Sequence, residues 1–340
     1  MQTFRLGKTD LTITRTGFGA LPIQRRSMED AVPILQRAYE AGITFFDTAR
    51  GYTDSEKKIG EALGSVRNEI VIATKSGATT RDGIWKDLET SLRELKTDWV
   101  DLLQLHNPKE LPDPENASSS YAALMEAKEQ GVIHHIGITN HKIHAAKEAI
   151  ASGLYESLQF PLSAISDEQD LSLIALAREV DMGVIAMKAL CGGLLTNIPL
   201  AFSFLRQYDN VVPIWGIQRM EELEEFLRLD ADPPVMDEDM KECLEKDRQE
   251  LSGEFCRGCG YCLPCPADIP IPMAARMSFL LRRAPAHRFL TQEWLEKMQR
   301  IEECQDCGAC AERCPYGLDP RKLLPGMLED YETLYADAHR

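Results

Sequence analysis

Eight short apolar runs, each followed by a stretch with helical periodicity, limit what this chain can fold into more than any other feature. The strand candidates are the segments 16–21, 44–48, 70–74, 100–105, 135–139, 157–160, 183–187 and 211–217. Between them lie SMEDAVPILQRAYEAG, GIWKDLETSLRELK, YAALMEAKEQG, KIHAAKEAIASG and DLSLIALAREV, many ending on a glycine suited to a helix C-terminus, and RMEELEEFLRL closes the set. Such alternation marks βαβ units and a parallel sheet. An open, doubly wound sheet alternates in the same way, but the count of eight favours a closed (β/α)8 barrel. A Rossmann fold would also open with GxGxxG, and the early glycines, in TGFGALP, do not have that spacing.

A barrel of this kind takes about 250 residues, so a chain of 340 leaves room for a second, smaller domain. The expected division is a barrel over 1–229, an acidic linker helix over 230–250, and a small, mainly helical domain over 251–340. Residues 230–250 carry nine acids against three bases, the peak of a chain whose formal charge is −16. That charge argues against a nucleic-acid partner, which needs clustered Lys and Arg. No apolar run reaches the roughly 18 residues of a membrane span, so no membrane insertion is expected. The N-terminal MQTFRLGKTDLTITRTG lacks a basic region followed by an apolar stretch, and the expectation is a cytoplasmic protein.

Four polar residues fall at or just past the C-terminal ends of consecutive strand candidates: Asp47, Tyr52, Lys75 and His106. In a (β/α)8 barrel that end carries the active site. Singly, such residues are usually capping or surface groups; together they suggest a chemistry. A phenol is a poor acid at neutral pH, and a nearby ammonium stabilises its anion. Lys75 can do this for Tyr52. Asp47 would keep Lys75 charged and oriented, while His106 could donate a hydrogen bond to a carbonyl oxygen gaining negative charge.

The segments that carry these residues, DTARGYTDSEKKIGEAL, the KS of VIATKSG and QLHNP, resemble those of the aldo-keto reductases in the same order. The resemblance implies that Tyr52 is the general acid, that Lys75 and Asp47 tune it, and that His106 orients a small-molecule carbonyl substrate. It also implies NADPH or NADH as hydride donor. KEQGVIHHIGITNH resembles the family's next strand and places Thr139 and Asn140 at the nicotinamide carboxamide, with Gln159 as the glutamine after the sixth strand. CGGLL, with Gly193, falls where the pyrophosphate is wrapped. VPIWGIQRMEELEEF, with Gly216, Gln218, Arg219 and Glu225, falls at the adenosine end. Three positions depart from the family. Met187 stands where most members stack a tyrosine on the nicotinamide, Trp215 where they have proline, and Phe226 where they have asparagine. Lys188 and Arg219 are the nearest cations for a 2'-phosphate.

Eight of the ten cysteines lie in two blocks, Cys256, Cys259, Cys262 and Cys265 as CRGCGYCLPCP and Cys304, Cys307, Cys310 and Cys314 as CQDCGACAERCP. In a reducing compartment such density means metal or cluster ligation rather than disulfides. The second block has the CxxCxxCxxxCP spacing of bacterial ferredoxins, in which the cysteine before proline reaches the other cluster. The first is one residue shorter. Four-cysteine zinc sites are the alternative, but three thiolates at successive CxxC steps suit a cubane better, so two [4Fe-4S] clusters are expected. Crossed ligation would give one cluster Cys256, Cys259, Cys262 and Cys314, and the other Cys304, Cys307, Cys310 and Cys265. The 38 residues between the blocks contain two helical runs, so the region resembles α-helical ferredoxin domains.

The expected function is therefore NAD(P)H-dependent carbonyl reduction, with the clusters serving electron transfer or structure. A nicotinamide gives two electrons together and a cluster passes one, so direct traffic needs a flavin or a redox protein partner. No flavin motif is visible. The alternative function is a non-catalytic nucleotide-binding subunit for electron transfer or redox sensing.

Overall fold

The structure is a computed structural model that describes residues 1–251, 255–283 and 285–340. It separates into two compact units, one of residues 1–189 and 202–236, the other of residues 190–201 and 237–340.

The first unit is a closed, all-parallel barrel. A hairpin of β1 (Thr3–Arg5) and β2 (Thr12–Thr14) precedes it. The barrel strands follow as β3 (Gly17–Gly19), β4 (Phe45–Asp47), β5 (Val71–Ser76), β6 (Val100–His106), β7 (Ile133–Thr139), β8 (Ser157–Pro161), β9 (Gly183–Met187) and β10 (Val211–Gly216), paired in that order, with β10 closing on β3. The helices that return the chain are α1 (Met28–Glu40), α2 (Ser55–Leu63), α3 (Arg81–Leu95), α4 (Ser120–Glu129), α5 (Ile143–Ser152), α6 (Glu168–Glu179), α7 (Ile198–Arg206) and α8 (Met220–Ala231). Several start on the cap their sequence offers: the side chains of Ser27, Thr80, Ser119 and Asp167 each accept a bond from the backbone N–H three residues on.

All eight strand candidates are strands, within a few residues of the expected bounds. The hairpin leaves no signal in the sequence, because its three-residue strands are too short to show a period. It packs Leu6, Leu11 and Ile13 against Phe45, Leu102, Ile185 and Val212, so the barrel interior is filled from that side. Gly7, at φ +54°, makes the closest approach: a Cβ there would lie 2.0 Å from the backbone nitrogen of Gly183.

The second unit contains α9 (Glu238–Glu250), α10 (Ile271–Ala274), α11 (Met277–Arg283), α12 (Gln292–Gln299), α13 (Ala309–Glu312) and α14 (Pro320–Ala338). The shorter helices α10 to α13 all pack against α14. Ile269, Ile271, Met277, Met298, Leu324 and Tyr331 form the core, which includes Cys262 and is bordered by Cys256, Cys265 and Cys310. Four of the cysteines are thus in or against the hydrophobic centre of this unit. Among the described residues no helix is long and apolar enough to cross a membrane.

Candidate active site and candidate cluster sites

At the C-terminal ends of the barrel strands, β4 ends on Asp47, β5 carries Lys75 and β6 ends on His106. The Lys75 ammonium donates to Asp47 Oδ1 and to the Thr48 carbonyl, both at 2.6 Å, with both charged side chains almost wholly buried. Burial raises the pKa of Asp47 and lowers that of Lys75, each shift opposed by the charge of the other. Tyr52, in the turn after β4, is half-buried. Its ring centroid is 5.2 Å from Lys75 Nζ and 5.8 Å from the His106 ring, which it meets edge-on. Burial and the neighbouring Lys75 charge push His106 down to about 3, so its imidazole is neutral and can donate a hydrogen bond without carrying charge. The four residues expected to act together are therefore together.

The site also contains residues that the sequence did not single out. Gln104, one strand over from Lys75 in register, donates to Gln159 Oε1 at 3.0 Å and to Asp47 Oδ2 at 3.4 Å. This chain of amides fixes the carboxylate that fixes the lysine. His141, just past β7, is buried and pushed down to about 3 by burial and by the charges of Lys188 and His106. Its place beyond a barrel strand's C-terminal end was the available signal; Gln104, inside an apolar strand, gave none.

Thr139 pairs in register with His106, and its hydroxyl accepts from Asn107 N–H at 3.1 Å. Asn140 donates to the Pro108 carbonyl at 3.1 Å, and its oxygen accepts from the N–H groups of His141 and Lys142. Met187 ends β9, half-exposed, and Lys188 follows in the left-handed region. Gly216, Gln218, Arg219 and Glu225 form a separate group where β10 leads into α8. There Glu222 accepts from the N–H groups of Gln218 and Arg219 and pairs with the Arg219 guanidinium at 2.7 Å. The two departures nearby explain each other: Trp215 and Phe226 are buried and stacked at 4.5 Å, and Phe202 also stacks on Trp215 at 5.6 Å. Gly193 lies in the segment that belongs to the second unit; it is exposed, at φ +93°, with nothing within 4 Å of where a Cβ would stand.

In the second unit the eight cysteines line two cavities. One, of about 380 Å³, is bounded by Cys256, Cys259, Cys262 and Cys314. The other, of about 400 Å³, is bounded by Cys265, Cys304, Cys307 and Cys310, with Cys262 on its wall. Both volumes include space open to solvent. Each cavity draws thiols from both blocks. Burial pushes Cys262 up to about 12, with Cys256 and Cys259 adding to the shift. Burial also raises Cys256, against the Gly258 N–H and the Arg276 guanidinium. Thiols packed in this way favour a cationic centre that stabilises their anions. Among the described residues no three His, Cys, Asp or Glu side chains converge as on a single ion. The donors range around cavities instead, which fits clusters.

The sequence profile of the "Aldo/keto reductase family" matches residues 15–199, and that of a "4Fe-4S dicluster domain" matches residues 255–319. Among curated proteins, the chain is 31% identical to the uncharacterized oxidoreductase YqkF of Bacillus subtilis over 59% of its own length and 68% of that protein's. It is 30% identical to L-galactose dehydrogenase of Arabidopsis thaliana over 56% of itself and 66% of that protein. The chain thus spans about two thirds of the length of these relatives. Among solved structures, the holo form of the aldo-keto reductase AKR11C1 from Bacillus halodurans superposes with a TM-score of 0.64 at 22% identity, over 73% of this chain and 96% of that one. A thermostable aldo-keto reductase, Tm1743, solved with the inhibitor epalrestat, gives a TM-score of 0.61 at 26% identity, over 73% of this chain and 100% of that one.

Proposed function

The chain belongs to the aldo/keto reductase family and is an oxidoreductase, and from that premise we propose that it reduces a small-molecule carbonyl with NADPH or NADH, Tyr52 supplying the proton. The observation that carries this reading is the convergence of Tyr52, Lys75, Asp47 and His106 at one end of the barrel. Reduced nicotinamide, when bound, supplies the hydride that adds to the carbonyl carbon; the rest falls to the chain. As negative charge grows on the carbonyl oxygen, neutral His106 donates a hydrogen bond to it and the Tyr52 hydroxyl transfers its proton, leaving an alcohol. The ammonium of Lys75 stabilises the phenolate that remains. Two of its three N–H bonds are engaged by Asp47 and Thr48, which orients the third.

For the nicotinamide end we assign Thr139, Asn140, Gln159 and Met187; for the phosphates and adenosine, Lys188, Gly193, Gly216, Gln218, Arg219 and Glu225. Gly193 suits the role because its backbone is open to a ligand. The cysteine-rich unit holds, in this reading, two crossed [4Fe-4S] clusters on the cysteines that line its two cavities. Cys304 and Cys307 are exposed, so a cluster held there would be open to single-electron exchange with a redox protein partner.

The test is nicotinamide oxidation by the anaerobically prepared chain against a panel of aldehydes and ketones. Tyr52→Phe is expected to lower turnover by about 10² to 10⁴ while nucleotide affinity stays unchanged. Tight nucleotide binding with no turnover of any carbonyl would favour the sensing subunit instead.

A further inference from the structure

The loop between β9 and α7 is held by two arginines of the cysteine-rich unit. Arg276, immediately before α11, and Arg283, at its end, are seven residues apart, two turns along one helix face. Arg276 Nη1 donates to the carbonyl of Gly192 at 2.9 Å, and Arg283 Nη1 to that of Leu194 at 3.2 Å. The loop they hold is unusual: Cys191, Gly192 and Gly193 are consecutive residues in the left-handed region, at φ +49°, +68° and +93°. A non-glycine residue there is strained, and the two arginines bond the carbonyls on either side of Gly193 in the same loop.

Arg283 is balanced by acids, pairing with Asp247 at 2.7 Å and with Glu250. Arg276 packs against the segment that carries Cys256. It is 6% exposed, and its Nε donates to the Pro272 carbonyl at 2.8 Å, the oxygen that also lies 4.0 Å from Cys256 Sγ. Its guanidinium packs on the backbone of Gly258, where a Cβ would come within 2.8 Å of it, and the N–H of Gly258 points to Cys256 Sγ at 3.3 Å. On the loop side the fit is as close: a Cβ on Gly192 would stand 2.4 Å from Arg276 Nη1. Both glycines make room for this guanidinium.

We propose that Arg276 is a positioning residue with two hands, setting the charge beside the Cys256, Cys259, Cys262 and Cys314 cluster and fixing the loop that carries Gly193. This rests on the reading that the cysteines hold clusters. A buried cation beside a cluster favours its reduced, more negative state, so the charge raises that cluster's reduction potential. The other hand is geometric and independent of oxidation state.

The experiment uses the full chain, reconstituted anaerobically with iron and sulfide, as wild type, Arg276→Gln, Arg276→Lys and Gly192→Ala. Each cluster's potential is read by paramagnetic resonance during redox titration, and exchange of the amides of residues 191–195 is read by mass spectrometry. Arg276→Gln should lower the Cys256-side potential by at least about a tenfold change in the reduction equilibrium, which is 59 mV for one electron, and leave the other cluster unmoved. Arg276→Lys should keep most of that potential, since the charge stays, yet speed loop exchange as much as Arg276→Gln does. Gly192→Ala, which pushes on the guanidinium from the loop, should shift the same cluster although Gly192 does not line its cavity. Full clusters with equal potentials in wild type and Arg276→Gln would overturn the proposal alone, as would equal shifts of both clusters. Wild type that takes up no acid-labile sulfide would overturn the cluster reading, and the proposal with it. Should Arg276→Gln fail to fold, unchanged loop exchange in Arg276→Lys overturns the positioning role.

Discussion

The barrel and the cysteine-rich unit bury charge in opposite ways. In the barrel, an ammonium and a carboxylate, Lys75 and Asp47, neutralise each other at 2.6 Å inside a framework already complete in backbone bonds and apolar packing. In the cysteine-rich unit it is thiols that meet the apolar core: Cys262 belongs to it and Cys256, Cys265 and Cys310 border it. A barrel can wait for its ligand. A small core with cavities at its centre gains much of its folding energy from what fills them.

The sharpest way to break that contrast is to remove the metal. Stripping iron from the full chain with a chelator should abolish the unfolding transition of the cysteine-rich unit and its share of the helical circular dichroism, leaving the barrel's transition in place. A single transition that shifts as a whole would mean that the two units fold as one. Cys314→Ala refines the test. With crossed ligation it damages the cluster of Cys256, Cys259 and Cys262, more than fifty residues away, and spares Cys304, Cys307 and Cys310. Damage confined to its own block, read by iron count and paramagnetic resonance, would make ligation local.

Within the barrel, the next largest effect is expected of Lys75→Met. It leaves the Asp47 carboxylate buried without its cation, a loss of about 3–5 kcal/mol when one partner of a buried pair is removed, less what protonation of Asp47 recovers. Turnover should fall about as far as in Tyr52→Phe, with a changed pH profile, because the phenolate loses its stabilising charge. An unaltered profile would show that Lys75 does not act on Tyr52. Denaturant unfolding of the same variant measures the structural part separately.

The barrel is legible in the sequence and many of the contacts around it are not, for physical reasons. Eight short apolar runs and their intervening helices are long enough to register in the sequence, and Asp47, Tyr52, Lys75 and His106 stand at or just past the ends of those runs. Gln104 could not be found in that way. It lies within VDLLQLH, where it reads as one polar residue in an apolar strand; only the pairing of β5 with β6 sets it opposite Lys75. Trp215 and Phe226 looked like two separate losses from a nucleotide grip, eleven positions apart, and prove to be one stacked group. The acidic stretch before the cysteines reads as a linker helix, yet Asp247 within it is paired with Arg283. Pairings of this kind are set by which surfaces meet, and local pattern does not carry them.

The smallest effect expected lies at the other end of the barrel and concerns pH. His135, on β7, is bound on both ring nitrogens, by Glu156 at 2.7 Å and by Asp10, from the turn of the β1–β2 hairpin, at 2.6 Å. Burial lowers its pKa, but the two carboxylates outweigh burial and the net shift is upward; Glu156 is held down at about 2, against burial, by bonds from His135, Lys128 and the Ile136 N–H. A raised histidine contributes stability that is present in full below its unfolded value of about 6.5 and is lost as pH rises through the folded one. The lowered Glu156 contributes stability that is present above about 4.5 and is lost as pH falls toward about 2. The cluster is therefore most stabilising between about pH 4.5 and 6.5. Asp10 is largely exposed, so water screens its share and the whole is worth about 1 kcal/mol. His135→Asn should remove that much at pH 6 and almost nothing at pH 9, as measured by denaturant midpoint. An equal loss at both would mean that His135 serves by packing and not by charge.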